Sequence, residues 1–430
     1  MQIIIHPEKM QWQELLQRPY VDNRTVLNTV QNILEEVKKD GDEALRKLTA
    51  KFDGMALQQL EVSEAEIKEA CEKVSEPLKA AIQQAKKNIE TFHQAQLTPV
   101  TVIETMPGVQ CWRKAVGIEK VGLYIPGGTA PLFSTVLMLG IPAVLAGCKE
   151  IILCTPCNKE GNIHPAILYT AHLIGIRRIF KIGGAQAIAA MAYGSATIPA
   201  VYKIFGPGNQ YVTAAKQLVQ MQGVAIDMPA GPSEVCVLAD DTANPSFVAA
   251  DLLSQAEHGA DSQVLLISSA ELIVQQTVEE VQKQLEKLPR KNIAAKALAN
   301  SKAIIVNSIA EAVDMVNAYA AEHLIICCKN AEAIAGKIIN AGSVFIGNYS
   351  PESVGDYASG TNHTLPTNAF ATVYSGVSVD SFQKKITFQK LTQEGLHAIS
   401  ETVIEMAEAE GLQAHANAVK IRTGIKGLVR

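Results

Sequence analysis

The sequence lacks an excess of charge of either sign. Its 430 residues include 38 Lys and Arg against 43 Asp and Glu, which gives a formal net charge of −5. This balance supplies no general attraction for nucleic acid or for anionic lipid, so small molecules are the expected partners. The N-terminal residues carry no basic segment followed by a long apolar run, so we expect no secretory signal and a cytoplasmic location.

The sequence also lacks an apolar run that could cross a membrane. No charged residue lies between Lys120 and Lys149, and about 20 apolar residues can span a bilayer. Glycines and prolines interrupt this stretch at Pro126, Gly127, Gly128, Pro131, Gly140 and Pro142. The interruptions predict a strand over 121–125, a glycine loop, and a buried helix that contains Val136, Leu137 and Leu139.

Short motifs that identify an enzyme class are missing as well. No segment has the G-x-G-x-x-G spacing of dinucleotide-binding loops, since Gly206-Pro-Gly-Asn-Gln-Tyr211 has no third glycine. There is no H-E-x-x-H zinc motif, and Ser233 is not part of a G-x-S-x-G nucleophile elbow. The proline-rich loop of residues 227–234 therefore favours a substrate contact or a positioning role for Ser233.

Cysteines do not form a recognisable framework. The eight cysteines are scattered and mostly lie in apolar segments, which predicts buried, reduced thiols. Cys154-Thr-Pro-Cys157 has no second C-x-x-C, and a zinc ribbon and a redox dithiol are the alternatives for this pair.

Apolar residues are plentiful, at 48% of the sequence against 19% charged, and 430 residues suffice for two or three domains. The first hundred residues have helical periodicity, and Asp40-Gly41 ends one helix. Ser63-Glu-Ala-Glu66 is a capping box that opens a long helix carrying Ile67, Val74, Leu78 and Ile82. Residues 381–430 also show helical spacing and are too few to build a core alone.

From about residue 115, short β-type runs alternate with helical stretches. This alternation predicts an α/β fold with parallel sheets and helices on both faces. Three of the runs end in glycine loops, at Gly127-Gly128, Gly183-Gly184 and Gly206-Pro-Gly208, where open α/β sheets bind ligands. The predicted strands are 122–125, 150–154, 179–182, 202–205, 235–239 and 264–267.

Two pairs of polar residues lie at predicted element ends. Asn244-Pro245 opens a helix whose last turn places Gln255 and His258 on one face. A histidine that interacts with the helix dipole and a metal ligand are both open interpretations. Glu322-His323 precedes an apolar run, where the pair could serve two proton transfers or lie on the surface by chance.

A long polar segment, residues 348–367, contains few large aliphatic side chains. Loops of this length without regular structure are usually functional. Asp356 and His363 can both turn into one site, while a turn-forming aspartate and a surface histidine are the alternative.

Eight segments together resemble the histidinol dehydrogenase family over essentially the whole chain. The resemblance lies in their order and spacing rather than in any single motif. The segments are Gly122-Leu-Tyr-Ile-Pro-Gly-Gly128, Gly183-Gly-Ala-Gln-Ala-Ile188, Phe205-Gly-Pro-Gly-Asn209, Pro229-Ala-Gly-Pro-Ser-Glu234, Ser254-Gln-Ala-Glu-His258, Ala321-Glu-His-Leu324, residues 355–366 and Glu410-Gly-Leu-Gln-Ala-His415.

The resemblance implies two incomplete Rossmann-like parallel-sheet domains with a helical N-terminal region and a helical C-terminal tail. Residues 1–20 would form an arm, and 21–120 with 236–380 a first, discontinuous domain. Residues 121–235 would form the NAD-binding domain. Residues 381–430 would be a tail exchanged between the subunits of a homodimer.

The resemblance also implies an activity, the NAD-dependent oxidation of L-histidinol through L-histidinal to L-histidine, the last step of histidine biosynthesis. Each subunit would hold a zinc ion, His323 would be the general base, and Glu322 would activate water. The implied zinc ligands are Gln255, His258, Asp356 and His415, and the implied NAD contacts are Tyr124, Gln186 and Asn209. The implied substrate contacts are Ser233, Gln255, His258, His323, Asp356, His363, Glu410 and His415, with Glu410 and His415 acting in the partner's site.

Two other functions stay open beside this one. The first is a zinc hydrolase in which Glu322 activates metal-bound water and no nicotinamide is used. The second is a binding protein that keeps the fold without activity.

Overall fold

The computed structural model describes residues 1–18, 24–127, 131–229 and 231–424. The chain forms two compact units, Met1–Gln96 with Ile118–Phe382 and Leu97–Gly117 with Gln383–Arg430. Within the described ranges, no helix is both long and apolar enough to cross a membrane.

Strands and helices alternate through most of the chain. The strands are β1 (Gln2–Ile5), β2 (Val102–Met106), β3 (Val109–Gly117), β4 (Lys120–Tyr124), β5 (Glu150–Cys154), β6 (Arg178–Phe180), β7 (Lys203–Phe205), β8 (Ala225–Ile226), β9 (Glu234–Ala239), β10 (Gln263–Ser268), β11 (Lys302–Ile305), β12 (His323–Cys327), β13 (Ser343–Ile346) and β14 (Gln383–Leu391). The helices are α1 (Trp12–Leu15), α2 (Arg24–Phe52), α3 (Glu64–Lys73), α4 (Glu76–Gln94), α5 (Phe133–Leu145), α6 (Pro165–Leu173), α7 (Gly184–Tyr193), α8 (Gln210–Gln220), α9 (Pro245–Ala256), α10 (Glu271–Leu285), α11 (Lys291–Ala299), α12 (Ile309–Tyr319), α13 (Ala331–Ala335), α14 (Glu352–Tyr357), α15 (Gln393–Ala409) and α16 (Gln413–Thr423). Short 3₁₀ helices cover Lys9–Gln11, Phe370–Thr372 and Val379–Phe382.

The first unit contains two parallel sheets, which confirms the predicted α/β fold. Six strands follow the order β1-β11-β10-β9-β12-β13, and five follow the order β6-β5-β4-β7-β8. Neighbouring strands within each of these two sheets pair in parallel. All six predicted strands are present, as β4, β5, β6, β7, β9 and β10, with ends shifted by one or two residues.

Strand β9 shows why the six-stranded sheet is apolar on both faces. All six of its residues are buried, as expected for a parallel strand covered by helices on each side. Val235 and Val237 pack in a core with residues of α9, α10 and α11. Cys236 and Leu238 point to the opposite face, into a core that includes residues of α12. The alternation places β9 at the centre of the unit.

The five-stranded sheet packs against α2, α7 and α8 in a third core. Helix α7 lies so close to β4 that a Cβ added at Gly122 would be 2.5 Å from Met191 Sδ. Helix α2 changes direction at Gly41, whose φ is 53°, where the sequence predicted a helix end. The predicted capping box is confirmed, because Ser63 accepts from the Glu66 amide and the Glu66 side chain accepts from the Ser63 amide.

Several predictions of regular structure were wrong. The single helix predicted after Ser63 is two helices, α3 and α4, because Pro77 in the first turn of α4 disfavours a continuous helix through Val74 and Ser75. The N-terminal region, predicted to be helical, begins with β1, which pairs with β11. The polar segment 348–367 contains α14.

The predicted buried thiols are confirmed for most of the cysteines. Cys154, Cys157, Cys236, Cys327 and Cys328 are buried and free. Cys71, Cys111 and Cys148 are also free but only half-buried.

The second unit has a three-stranded antiparallel sheet in the order β14-β3-β2, followed by α15 and α16. The prediction of a wholly helical tail was therefore wrong at its start, where β14 pairs along β3 from Gln383 to Leu391. Trp112 and Phe388 stack across this pair with ring centroids 5.4 Å apart, a cross-strand contact that stabilises the ladder. The domain boundaries predicted from the sequence stay a prediction.

Candidate active site

Glu322 and His323 lie at the amino-terminal end of β12. Both are buried, with 6% and 3% of their surface exposed. Helix α12 ends just before them, and Ala320 adopts a left-handed φ of 52°, so the chain turns sharply into the strand. Parallel pairing sets His323 opposite Val235 of β9. This register brings the two side chains beside Glu234, the first residue of β9.

Main-chain groups of Glu234 contact both members of the pair. Its N–H donates to Glu322 Oε2 at 2.8 Å, and its carbonyl oxygen lies 3.2 Å from His323 Nδ1. An imidazole that donates Nδ1–H to this carbonyl has its lone pair on Nε2. His323 Nδ1 is also 3.6 Å from Glu322 Oε2. The geometry therefore leaves Nε2 of His323 as the nitrogen that can exchange a proton with a ligand.

Helix α14 brings Asp356 and Glu352 to His323. Asp356 Oδ1 lies 3.3 Å from His323 Nε2 but is not aligned for a hydrogen bond, and neither atom has a hydrogen-bond partner among the described residues. Glu352 is buried and accepts a 2.6 Å hydrogen bond from Ser254 Oγ. The sequence did not point to Glu352, because a glutamate at the start of a polar segment gives no signal that it is buried.

Burial and neighbouring charges shift the pKa values of these groups. Burial raises the pKa of Glu322 to about 8, against the opposing charge of His323, and it raises the pKa of Glu352 to about 7. Burial alone would lower the pKa of His323, but the carboxylates of Glu322 and Asp356 outweigh it and raise this pKa to about 10. The surrounding carboxyl groups thus stabilise the imidazolium that forms when Nε2 of a neutral His323 accepts a proton.

Gln255 and His258 lie at the end of α9, which Asn244 caps with its side chain as predicted. Gln255 is fully buried, and neither polar atom of its amide has a hydrogen-bond partner among the described residues. His258 follows the end of the helix and is exposed. Desolvation by the protein groups around the ring lowers the pKa of His258, although part of its side chain is exposed, and the carboxylate of Asp356 opposes this effect. The structure therefore brings Asp356 within electrostatic range of the end of α9.

His363 connects the two parallel sheets. Its Nδ1 lies 2.8 Å from the carbonyl oxygen of Asp356, and its Nε2 lies 3.1 Å from Thr135 Oγ1 in the first turn of α5. Helix α5 follows β4, a strand of the five-stranded sheet.

Ser233 directly precedes Glu234, and its carbonyl oxygen accepts from the Gln263 amide at 3.1 Å. Ser233 and His363, two of the predicted substrate contacts, thus lie near the buried pair.

The predicted zinc ligands of the first unit provide nitrogen and oxygen donors. Among the described residues, no three His, Cys, Asp or Glu side chains form a cluster suited to a metal. The first unit offers one imidazole, one carboxylate and one amide, from His258, Asp356 and Gln255. Gln255 Oε1 and Asp356 Oδ1 are buried without a hydrogen-bond partner among the described residues, and each is an oxygen that can ligate a cation. Nitrogen and oxygen donors are ligands of zinc, so the residues fit, and zinc binding stays a prediction.

The remaining predicted site residues, the substrate contact Glu410 and the zinc ligand His415, belong to the second unit. Glu410 lies at the end of α15 and His415 lies in the first turn of α16, and both are exposed. Their contribution to the site stays a prediction.

Tyr124, Gln186 and Asn209 line one cavity of about 1170 Å³. Tyr124 ends β4, is buried, and accepts a 3.1 Å hydrogen bond from the Gly184 amide. Burial raises the pKa of the Tyr124 hydroxyl to about 12, so it is protonated and can donate. Gln186 lies in α7, and Asn209 caps α8 by accepting from two amides. The structure thus brings all three predicted NAD contacts together at the carboxyl edge of the five-stranded sheet.

The loop after β7 is held by an ion pair that the sequence did not reveal. Gly206 has a φ of 128°, and a Cβ there would lie 2.0 Å from the Tyr124 carbonyl oxygen. Asp227 Oδ2 accepts from the Gly206 amide at 2.8 Å, and Lys216 Nζ donates to the Gly206 carbonyl at 2.9 Å. Lys216 and Asp227 also pair with each other in a buried position. Gly127 lines the same cavity, whereas Gly128 and Ala230 lie outside the described residues.

A cofactor-sized cavity on one parallel sheet and a buried carboxylate and imidazole pair on the next define an α/β enzyme. The family model described as histidinol dehydrogenase matches residues 16–423. The chain belongs to the histidinol dehydrogenase family.

Individual relatives agree with this assignment. The chain is 60% identical over 422 residues to a histidinol dehydrogenase of Bacteroides thetaiotaomicron, covering 98% of this chain and 99% of the relative. It is 50% identical over 422 residues to a histidinol dehydrogenase of Colwellia psychrerythraea, covering 96% and 97%. The crystal structure of histidinol dehydrogenase from Elizabethkingia anophelis aligns with a TM-score of 0.96 at 58% identity over 98% of each chain. The chain is therefore an oxidoreductase of an NAD-dependent family that catalyses the final step of histidine biosynthesis.

Proposed function

We propose that this chain oxidises L-histidinol through L-histidinal to L-histidine, a four-electron reaction that uses NAD as the oxidant and zinc to position the substrate. The observation that carries the proposal is the buried Glu322 and His323 pair, since His323 Nε2 is buried and has no hydrogen-bond partner among the described residues. Gln255 and Asp356 supply further unpartnered polar atoms. A polar ligand would complete these groups.

His323 takes the hydroxyl proton of the alcohol. Oxidising a primary alcohol removes this proton and a hydride from the adjacent carbon, and a base within hydrogen-bond distance of the hydroxyl lowers the barrier. The carbonyl oxygen of Glu234, 3.2 Å from Nδ1, orients the ring so that Nε2 accepts the proton. When bound, NAD would accept the hydride and carry the electrons.

Glu322 acts in the second oxidation, which consumes water. The aldehyde must add water before a second hydride can leave, so a group is needed that takes a proton from that water. Glu322 Oε2 is held by the Glu234 amide at 2.8 Å, which leaves the other carboxylate oxygen to accept. His323 again removes the hydroxyl proton, and the product is the carboxylic acid.

The other predicted residues bind and orient. Gln255, His258 and Asp356, with His415 of the second unit, would hold zinc, which when bound is redox-inert and polarises the substrate oxygen while it templates the imidazole and amine. Ser233, His363 and Glu410 would contact the substrate. Tyr124, Gln186 and Asn209 would hold NAD in the cavity they line.

We also propose a homodimer in which residues 381–430 complete the partner's site, in the cytoplasm. The second unit supports this because the hydrophobic cluster of its two helices has only three buried members among the described residues, Ile404, Ala407 and Ala416. Several of its large apolar side chains are exposed, among them Ile103 at 54%, Met406 at 61% and Ile421 at 72%. An apolar surface of this kind marks an interface.

A histidinol assay tests the function. Zinc-loaded protein should reduce NAD when L-histidinol is added and release L-histidine, with two NAD reduced for each histidinol consumed. Hydrolysis without NAD reduction would support the zinc hydrolase instead. Binding of histidinol without turnover would support the binding protein.

A further inference from the structure

The buried ion pair between Arg18 and Glu234 is connected to both catalytic side chains through the main chain of Glu234. The amide and the carbonyl of this one residue contact Glu322 and His323, at 2.8 Å and 3.2 Å. Any shift of the start of β9 therefore moves the hydrogen-bond partners of both catalytic groups together. The position of Glu234 is set in turn by its own side chain.

The guanidinium of Arg18 binds both carboxylate oxygens of Glu234. Its Nε donates to Glu234 Oε1 and its Nη2 donates to Glu234 Oε2, each at 2.9 Å. The Asn368 amide donates to the same Oε1 at 2.8 Å. Glu234 is 1% exposed, so its charge is tolerated only because these donors surround it. The two parallel hydrogen bonds of an arginine and a carboxylate fix geometry as well as charge.

Arg18 also binds the element that leads into the catalytic pair. Its Nη2 donates to the Tyr319 carbonyl at 2.7 Å, and its guanidinium lies 3.9 Å from the centre of the Tyr319 ring. Tyr319 is buried, and its hydroxyl donates to Gln263 Oε1 at 2.8 Å. Tyr319 is the last residue of α12, three residues before Glu322. One guanidinium thus ties the start of β9 to the turn before β12.

We propose that Arg18, through Glu234, is a positioning residue for Glu322 and His323 in the reaction proposed above. Arg18 lies on the N-terminal arm and does not touch the reacting atoms. Its role is to keep the Glu234 peptide groups where they orient the imidazole and the carboxylate. The inference depends on the proposed function, since it is measured as turnover of histidinol.

The first test is Arg18→Lys, which keeps the positive charge beside Glu234 and so protects folding. A lysine has no planar fork and cannot make the paired hydrogen bonds to Glu234 and the bond to Tyr319 together. We expect kcat to fall roughly 10-fold or more, since small displacements of catalytic groups slow reactions strongly. KM for NAD should stay at the parent value, and the thermal unfolding midpoint should fall less than in Arg18→Ala, because the positive charge beside Glu234 is kept. A kcat equal to that of the parent protein would show that Arg18 only balances the charge of Glu234, and it would overturn the proposal.

The second test removes the side chain and returns its head group. Arg18→Ala should lose kcat by roughly 100-fold, and guanidinium chloride at millimolar concentration should restore part of it by binding between Glu234 and Tyr319. Arg178→Ala is the matched control, because Arg178 pairs with Glu150 at 2.8 Å at the amino-terminal edge of the other sheet and is 41% exposed. Guanidinium should leave the control unchanged. Equal responses of both variants would contradict the inference.

The double variant Arg18→Ala with Glu234→Gln completes the test. Residues that act as a unit have non-additive effects, so the double variant should lose no more kcat than the poorer single variant. Additive losses would show independent roles and overturn the proposal. The parent protein is assayed first: if it fails to oxidise histidinol, the proposed function fails, whereas an active parent with a fully active Arg18→Lys refutes only the positioning role.

Discussion

Thr135 Oγ1 and His363 Nε2 lie 3.1 Å apart, and this contact joins the sheet that carries the cavity to the loop that carries the candidate substrate groups. Thr135 is buried in the first turn of α5, which follows β4 and Tyr124. His363 is fixed from its other nitrogen by the Asp356 carbonyl at 2.8 Å. In the proposed reaction a hydride passes between a substrate and a cofactor held by different sheets, so this contact bears on how the two would be aligned.

Thr135→Val should weaken catalysis by removing that contact while keeping the side-chain volume. One hydrogen bond is worth about 1 kcal/mol, so we expect kcat/KM for histidinol to fall roughly 3- to 10-fold. Thr170→Val is the matched control, because Thr170 is also buried on a helix of this sheet and its hydroxyl has no partner among the described residues. A Thr135→Val variant as active as the control would show that the contact does not orient His363.

His258→Ala and Asp356→Ala should each lose zinc and activity together. Each change removes a strong donor from the proposed ligand set, and even changes to residues behind the ligands typically cost 10- to 100-fold in metal affinity or activity. Metal content by atomic absorption after dialysis is the measurement. His172→Ala is the control, since His172 is an exposed histidine of α6. Full zinc occupancy in both variants would remove these residues from the site.

Glu322→Gln and His323→Asn should fail in different ways. If Glu322 activates water, Glu322→Gln should slow the oxidation of histidinal more than that of histidinol, because only the aldehyde step consumes water. His323→Asn should slow both steps, since each loses a hydroxyl proton. Separate assays with the alcohol and the aldehyde decide the matter. Equal losses of Glu322→Gln in the two half-reactions would refute the division of roles.

Local patterns were enough to predict six strands of the two parallel sheets. The runs at 150–154 and 235–239 are strands because apolar β-type residues between helices leave few alternatives, and Asn244 caps α9 through its side chain as its sequence context indicated. Strand β14 was missed because its residues are mostly exposed and alternate weakly, so only its pairing with β3 makes it a strand.

The candidate site was only partly accessible from the sequence. Glu322 and His323 could be singled out as adjacent groups, but their shared contact with Glu234 depends on the register of β12 and β9. Arg18 and Glu234 are 216 residues apart, and no local pattern links an arginine on a short arm to a strand that distant. The burial of Glu352 likewise follows from packing beside Ser254. Such long-range polar contacts need the tertiary structure.

Gly206→Ala should destabilise the protein and weaken NAD binding. A residue with a Cβ is strained at a φ of 128°, and the new atom would lie 2.0 Å from the Tyr124 carbonyl oxygen. Gly223→Ala is the matched control, since Gly223 has a φ of 97° with no heavy atom within 4 Å of an added Cβ. We expect the control to cost about 1–2 kcal/mol from backbone strain alone, and Gly206→Ala to cost more and to raise KM for NAD. Thermal unfolding measures the stability and steady-state kinetics measure KM for NAD. Equal losses in the two variants would show that the Tyr124 carbonyl oxygen does not restrict residue 206.

The tail that carries Glu410 and His415 belongs to the second unit. Both side chains are exposed on helices whose core has few buried residues, as expected of a segment that packs against another chain. If the tail completes the partner's site, His258→Ala and His415→Ala chains should each be inactive alone. A mixed dimer can collect both lesions in one site and leave the other with an intact body and an intact tail. Activity should therefore return when the two variants are unfolded and refolded together.

A tail that acts in its own subunit would give the opposite result, because every site of a mixed dimer would then contain one lesion. Differential tags on the two variants, followed by two-step purification, isolate the mixed dimers and show that subunits have exchanged. When the two variants are mixed in equal amounts, random pairing places half of the chains in mixed dimers. Each mixed dimer would carry one intact site. Their specific activity should thus approach half that of the parent, and their zinc content should rise with it. Isolated mixed dimers without activity would refute exchange of the tail, while leaving His415 as a ligand within its own chain.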